Sequence, residues 1–182
     1  MLVRRLTVLA CACMLVAGVA ACNDDEQGVD EPAREGLALP LDGVNYNVFI
    51  TRQLNPAIPP DDAYYTGPEP RPGETLYGVF LQACNSSSSP KQTVDNLNFV
   101  IRDNQGNEFE PEELPVDNQF AYHARPLLPK ECIPRAGSVA QLGPTAGSML
   151  LFRLPLQNTE YRPLELEIQG ADDEHLTYDL DI

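Results

Sequence analysis

The chain has 182 residues and carries 27 Asp and Glu against 12 Lys and Arg, a formal charge of −15, with 17 Pro and no Trp. With no basic stripe beyond the first few residues, such an acidic chain opposes the phosphate neutralisation on which nucleic-acid affinity rests, so no nucleic-acid partner is expected. Proline at nearly twice its usual ~5% disfavours long helices, and the length leaves room for one domain.

Arg4 and Arg5 precede an apolar stretch from Leu6 through Val19, which ends in Ala20-Ala21-Cys22 and runs at once into Asn23-Asp24-Asp25-Glu26. A positive start, an apolar core and small residues at its end make a secretory signal, here of the general-export kind. Val19-Ala20-Ala21-Cys22 closely resembles the lipobox of bacterial lipoproteins. The resemblance implies that residues 1–21 are removed and that Cys22 is diacylated as the new N-terminus. An uncleaved anchor would need about 20 apolar residues, and this run is shorter. Val8-Leu9-Ala10-Cys11 is a looser match, but too few residues separate it from Arg5 for an apolar core, so Cys11 and Cys13 leave with the signal. Two acyl chains hold a protein stably on a bilayer where one does not. The expected location is therefore the extracytoplasmic face of a cell membrane, with the lipid anchor as the membrane contact.

Residues 22–40 are rich in acids, Asp24, Asp25, Glu26, Asp30, Glu31 and Glu35 against Arg34. They read as a solvated flexible tether with a reach of about 25 Å. Loss of Arg4 and Arg5 takes the charge from −15 to −17. Cys84 and Cys132 remain in a compartment where disulfides persist, and no C-x-x-C spacing suggests a redox pair, so they are expected to bond to each other. Closing so long a loop contributes about 4 kcal/mol in the chain-entropy estimate.

From residue 41 to 182 the pattern is that of strands. Val44, Tyr46, Val48 and Ile50 alternate with Asn45, Asn47, Phe49 and Thr51, the signature of a half-buried strand. Leu76 through Cys84 is apolar on both faces for much of its length, as in a central strand. Leu97, Phe99 and Ile101 predict a third strand, Asp103 to Asn107 a turn leading to Glu108-Phe109, and Met149 through Leu154 another central strand halted by Pro155. Leu164 to Ile168 and Leu176 to Ile182 alternate again and form a hairpin around Gly170 to Asp173, with Asp179 and Asp181 guarding an outer edge. Two long loops interrupt the pattern, residues 52–75 with six prolines and residues 85–95 with four serines. About seven short strands without a long helical pattern predict an all-β, immunoglobulin-like antiparallel sandwich.

Tyr77 to Cys84 followed by Asn85, then Phe99 to Asp103 with Gly106 and Phe109, then Gly147 to Pro155 followed by Leu164 and Leu166, resemble a widespread bacterial family of extracytoplasmic Ig-like domains. That family has no established function, and some members carry a misleading "telomeric repeat-binding factor" label. The resemblance implies an Ig-like sandwich and an envelope location and brings no catalytic residues.

Chemistry is sparse. His123 and His175 are the two histidines; no G-x-S-x-G occurs, and Ser138 and Ser148 follow glycines in turn or strand-start contexts. Adjacent acids at Asp61-Asp62, Glu112-Glu113 and Asp172-Asp173-Glu174 sit in polar loops. Asp103 to Gly106 lacks the spacing of a calcium loop. No catalytic residue, metal site or cofactor is therefore assigned. The Tyr64-Tyr65 pair on a proline-stiffened loop is the candidate contact site, since interfaces favour such aromatics; packing over an open sandwich end is the competing expectation. The reading is a non-enzymatic, lipid-anchored Ig-like module binding another envelope protein or polymer, with a small-ligand or metal-binding lipoprotein beside a transporter or sensor as the alternative. Oligomeric state is not indicated.

Overall fold

The alternating segments become the long strands of two facing sheets. A computed structural model describes residues 26–182, so the lipobox and Cys22 lie outside the described residues. In chain order the elements are β1 (Ala33–Arg34), β2 (Ala38–Leu41), β3 (Val44–Leu54), a helical turn α1 (Asp61–Tyr64), β4 (Glu74–Asn85), β5 (Lys91–Gln92), β6 (Phe99–Arg102), β7 (Glu108–Phe109), β8 (Pro111–Glu112), β9 (Pro126–Leu127), β10 (Cys132–Ile133), α2 (Val139–Leu142), β11 (Ser148–Pro155), β12 (Glu165–Gln169) and β13 (His175–Asp179). Seven strands have four or more residues, and they form an all-β, immunoglobulin-like antiparallel sandwich. One sheet has the order β1-β13-β12-β6-β7. The other runs β2-β3-β4-β11-β8, with β10 beside β4 beyond the end of β11.

The inward faces follow the period of two. Tyr46 and Val48, Val79 and Leu81, and Leu150 and Phe152 from one sheet meet Phe99, Ile101, Leu166, Ile168, Leu176 and Tyr178 from the other. β4 and β11 are apolar on both faces because a second cluster covers their outer side. There Leu76, Phe80, Met149 and Leu151 pack under the 55–72 loop and the 114–121 segment. β4 ends in Asn85, which is buried and organises the serine loop: its amide nitrogen donates to the carbonyls of Ser89 (2.8 Å) and Leu127 (2.9 Å), and its oxygen accepts from the Ser87 backbone N–H (2.8 Å). One residue before it, Cys84 is paired in register with Cys132 of β10 and bonded to it, with 4.1 Å between Cα atoms.

Several expectations change. The domain starts before residue 41. Ala33 is only 1% exposed in β1, which pairs parallel with β13, and β2 forms a hairpin with β3. Thr177 N–H donates to the Gly28 carbonyl (2.7 Å), and Tyr178 Oη donates to that of Leu37 (3.0 Å). Glu26, Asp30 and Glu31 face water as the acidic composition suggests, whereas the backbone of this segment satisfies the open edge of β13. β13 is consequently not an outer strand, and Asp179 guards no edge. Alternation from Val44 places Ile50 with the inward residues of β3, but a bulge between Val48 and Ile50 inverts the faces and leaves it 40% exposed.

Candidate functional site

The proline-rich loop does not present its tyrosines. Asp61 in α1 accepts hydrogen bonds from Arg52 (2.5 Å) and from the Asn55 backbone N–H (2.9 Å), which folds the loop back over the sheet. Tyr64 is then 1% and Tyr65 8% exposed. The Tyr64 ring meets Phe80 and Phe120 edge-on at 5.0 and 4.8 Å, and Tyr65 Oη lies 3.5 Å from Arg153. The candidate contact residues are core residues, because the outer face of β4 and β11 needed apolar cover that composition could not reveal.

A different place is open. Before β6, Asp95 caps a 3₁₀ turn of Asn96–Asn98: its Oδ1 accepts from the Leu97 N–H (3.1 Å), and Asn96 donates to the Tyr122 carbonyl (2.9 Å). Leu97 thereby leaves the strand and stands 65% exposed, although its spacing from Phe99 and Ile101 places it on their face. Across from it, Asn118 holds the turn after Pro115, accepting from the Phe120 N–H and donating to the Tyr64 carbonyl, both at 2.9 Å. Val116 on this turn is 91% exposed. Between the two rims lies a cleft of about 430 Å³ at the edge where β8 ends its sheet, lined also by Asp95, Glu112, Glu113 and His123. Among the described residues no lysine or arginine lines it.

Its polar groups are unequally committed. Glu112 accepts from Arg153 Nε at 2.8 Å, and Arg153 also reaches Glu74. Desolvation works to lower the Arg153 pKa, but hydrogen bonding to Glu112 and the nearby charges of Glu112, Tyr65 and Glu74 outweigh it and raise it. Asp95 and Glu113 have no ion pair among the described residues. His123 Nε2 is buried and has no hydrogen-bond partner.

His123 also borders a neighbouring opening lined by Ser138 and Ser148 together with Arg125 and Arg135. No hydrogen bond joins the histidine to either serine: Ser138 Oγ instead accepts from the Gln141 N–H to cap α2 (3.3 Å), and Ser148 is buried at the start of β11. His175 lies elsewhere, on the outer face of the β12–β13 hairpin near Arg102 and Glu174. Asp103 forms a turn, accepting from the Gln105 and Asn107 N–H groups (2.9 Å each) and from Asn158 (2.9 Å). Among the described residues no three His, Cys, Asp or Glu side chains are grouped to hold a metal ion, and no helix is long and apolar enough to cross a membrane.

The architecture, an Ig-like β-sandwich, recurs in solved bacterial proteins. The yjhA protein from Bacillus subtilis is 10% identical and aligns with a TM-score of 0.52 over 82% of this chain and 99% of its own. A protein described as "a putative lipoprotein (ycdA)" from Bacillus subtilis aligns with the same TM-score and identity over 81% of this chain, which spans 38% of that longer one. At such identity the likeness concerns the fold alone. No family model and no curated protein matches the chain.

Proposed function

We propose that this protein is a lipid-anchored, extracytoplasmic Ig-like module that binds another component of the cell envelope and catalyses no reaction. The observation that carries the reading is the placement of the N-terminal segment against the cleft. The chain enters the domain along the β1 edge of one sheet, and β7 is the opposite edge of that sheet, four strand spacings or about 19 Å away. β8, which borders the cleft, is likewise at the far end of the other sheet from β2. Cys22, the residue that resembles a lipidation site, is four Cα steps from Glu26, a span of at most about 14 Å. An acyl anchor at Cys22 holds the β1 edge near the bilayer and turns the cleft outward.

The likeness in fold to a protein described as a lipoprotein is compatible with this placement. The overall acidity disfavours anionic lipid and nucleic acid as the second contact. Replacing Cys22 by Ser in the full-length chain is expected to move the protein from the membrane to the soluble fraction, or to leave an uncut precursor. Unchanged processing together with unchanged membrane partition would refute the anchor.

A further inference from the structure

We infer that the cleft between Leu97 and Val116 holds an extended polypeptide segment in which Lys or Arg flank an apolar side chain, an inference that rests on the interaction-module reading above. Single exposed apolar residues are ordinary on protein surfaces. Here two line one cleft, and each is held by its own turn: the Asp95 cap and the Asn96 bond fix Leu97, and the Asn118 bonds fix the segment that carries Val116. Their exposure is built into the backbone, so a ligand finds its apolar contacts preformed and loses little ordering entropy.

The charge between the rims has one sign. Asp95 and Glu113 are without ion pairs among the described residues, and no cationic side chain lines the cleft. A bare polyamine would satisfy the carboxylates and leave both rims unused; a neutral apolar segment would do the reverse. A basic and apolar polypeptide uses both, and about 430 Å³ is within the usual range of ligand clefts. The outward placement of this edge makes a lipid surface the wrong occupant.

The test uses the full-length chain in detergent micelles and a labelled probe peptide, Lys-Leu-Lys-Val-Lys-Leu-Lys, followed by fluorescence anisotropy. Two comparison peptides replace every Lys by Glu, or every apolar residue by Ser. The probe is expected to bind more tightly than both. The double substitutions L97S with V116S, and D95N with E113Q, are each expected to weaken it at least about tenfold, the scale of losing part of two apolar burials or one charge-assisted contact. A distant pair, D172N with D173N, removes the same charge and is expected to change binding less than about twofold. Asn preserves the cap at position 95, and the rim side chains are exposed, so melting temperatures report that the variants fold; E113Q alone carries the charge arm if D95N does not.

Equal binding of the serine peptide overturns the inference. So does an equal loss in the distant pair, which would assign binding to the overall field of the protein. Self-association of the chain abolished by L97S with V116S would assign the cleft to a second copy and overturn it as well. A photoreactive residue placed at 116 and, on the α2 surface, at 139 separates this inference from the reading it rests on. Crosslinks in cells from 139 with none from 116 would refute the cleft and leave an interaction module standing.

Discussion

Tyr64 distinguishes a contact residue from a core residue by two substitutions with opposite signs. Its ring is 1% exposed, stacked edge-on against Phe80 and Phe120, and its hydroxyl is buried with no hydrogen-bond partner. Truncation to Ala removes those ring contacts and opens a cavity beneath the 55–72 loop, at a cost of about 3–5 kcal/mol. For a domain of this size that corresponds to a fall in melting temperature of roughly 6–20 °C. Tyr64→Phe keeps the ring and removes an unsatisfied polar group, whose burial costs about 1–3 kcal/mol. The Phe variant is thus expected to melt at the same temperature as the parent or a few degrees higher. The bond from Asn118 goes to the Tyr64 carbonyl, so neither variant removes its acceptor. Thermal melts followed by circular dichroism, with denaturant midpoints as a check, measure both. A clear loss of stability in Tyr64→Phe would show that the hydroxyl is satisfied, and an Ala variant as stable as the parent would return Tyr64 to the surface.

Replacing both Cys84 and Cys132 by Ala is expected to lower stability by about 4 kcal/mol, because a loop closed over a separation of 48 residues is released in the unfolded chain; two titratable thiols in unreduced, unfolded residues 26–182 would contradict the bond. Acid dependence comes from two carboxyl groups of opposite sign. Burial works to raise the Asp103 pKa, but hydrogen bonds from Asn158, from Asn107 and from the Gln105 N–H outweigh it and hold the pKa below the ordinary value. Its stabilisation is therefore present above about pH 4 and is lost as pH falls through the lowered value, and Asp103→Asn is expected to lower the melting temperature at pH 7 and flatten the acid limb. Glu35 is raised chiefly by burial, with the nearby Asp181 adding to it. Its contribution favours folding at low pH and turns unfavourable as pH rises through the raised value, so Glu35→Gln is expected to raise the melting temperature at pH 7 and to change little at pH 3. A fall at pH 7 in the Gln variant would refute that sign.

The strands that the sequence makes legible are those whose inward residues recur every second position. Val44 to Val48, Leu76 to Cys84, Met149 to Leu154 and Leu164 to Ile168 each appear where alternation or a two-faced apolar run puts them. β2 escapes notice because Ala38–Leu41 is short and follows acids, yet a signal precedes Val44: Asp42-Gly43 is a two-residue hairpin turn with φ of +54° and +79°, and it implies a partner strand just upstream. Leu97 departs from its spacing for a local reason. Spacing counts residues, and the Asp95 cap withdraws three of them into a turn before the strand begins.

Some properties belong to the sequence alone. The charge, the basic start followed by an apolar run, the lipobox-like Cys22 and the period of the main strands are local features, written in adjacent residues and readable without knowing what lies across the chain. The cleft is of another kind. Asp95 and Leu97, Glu112 to Val116, and His123 come from three segments with no shared pattern, and they line one cleft beside β8, the end strand of its sheet, which follows β7, the end strand of the other. Whether an apolar residue is core or surface also depends on what covers it. Tyr64 and Tyr65 are carried inward by a loop that folds back on the sheet, while Leu97 and Val116 stay exposed among the described residues, and only long-range packing decides between those outcomes.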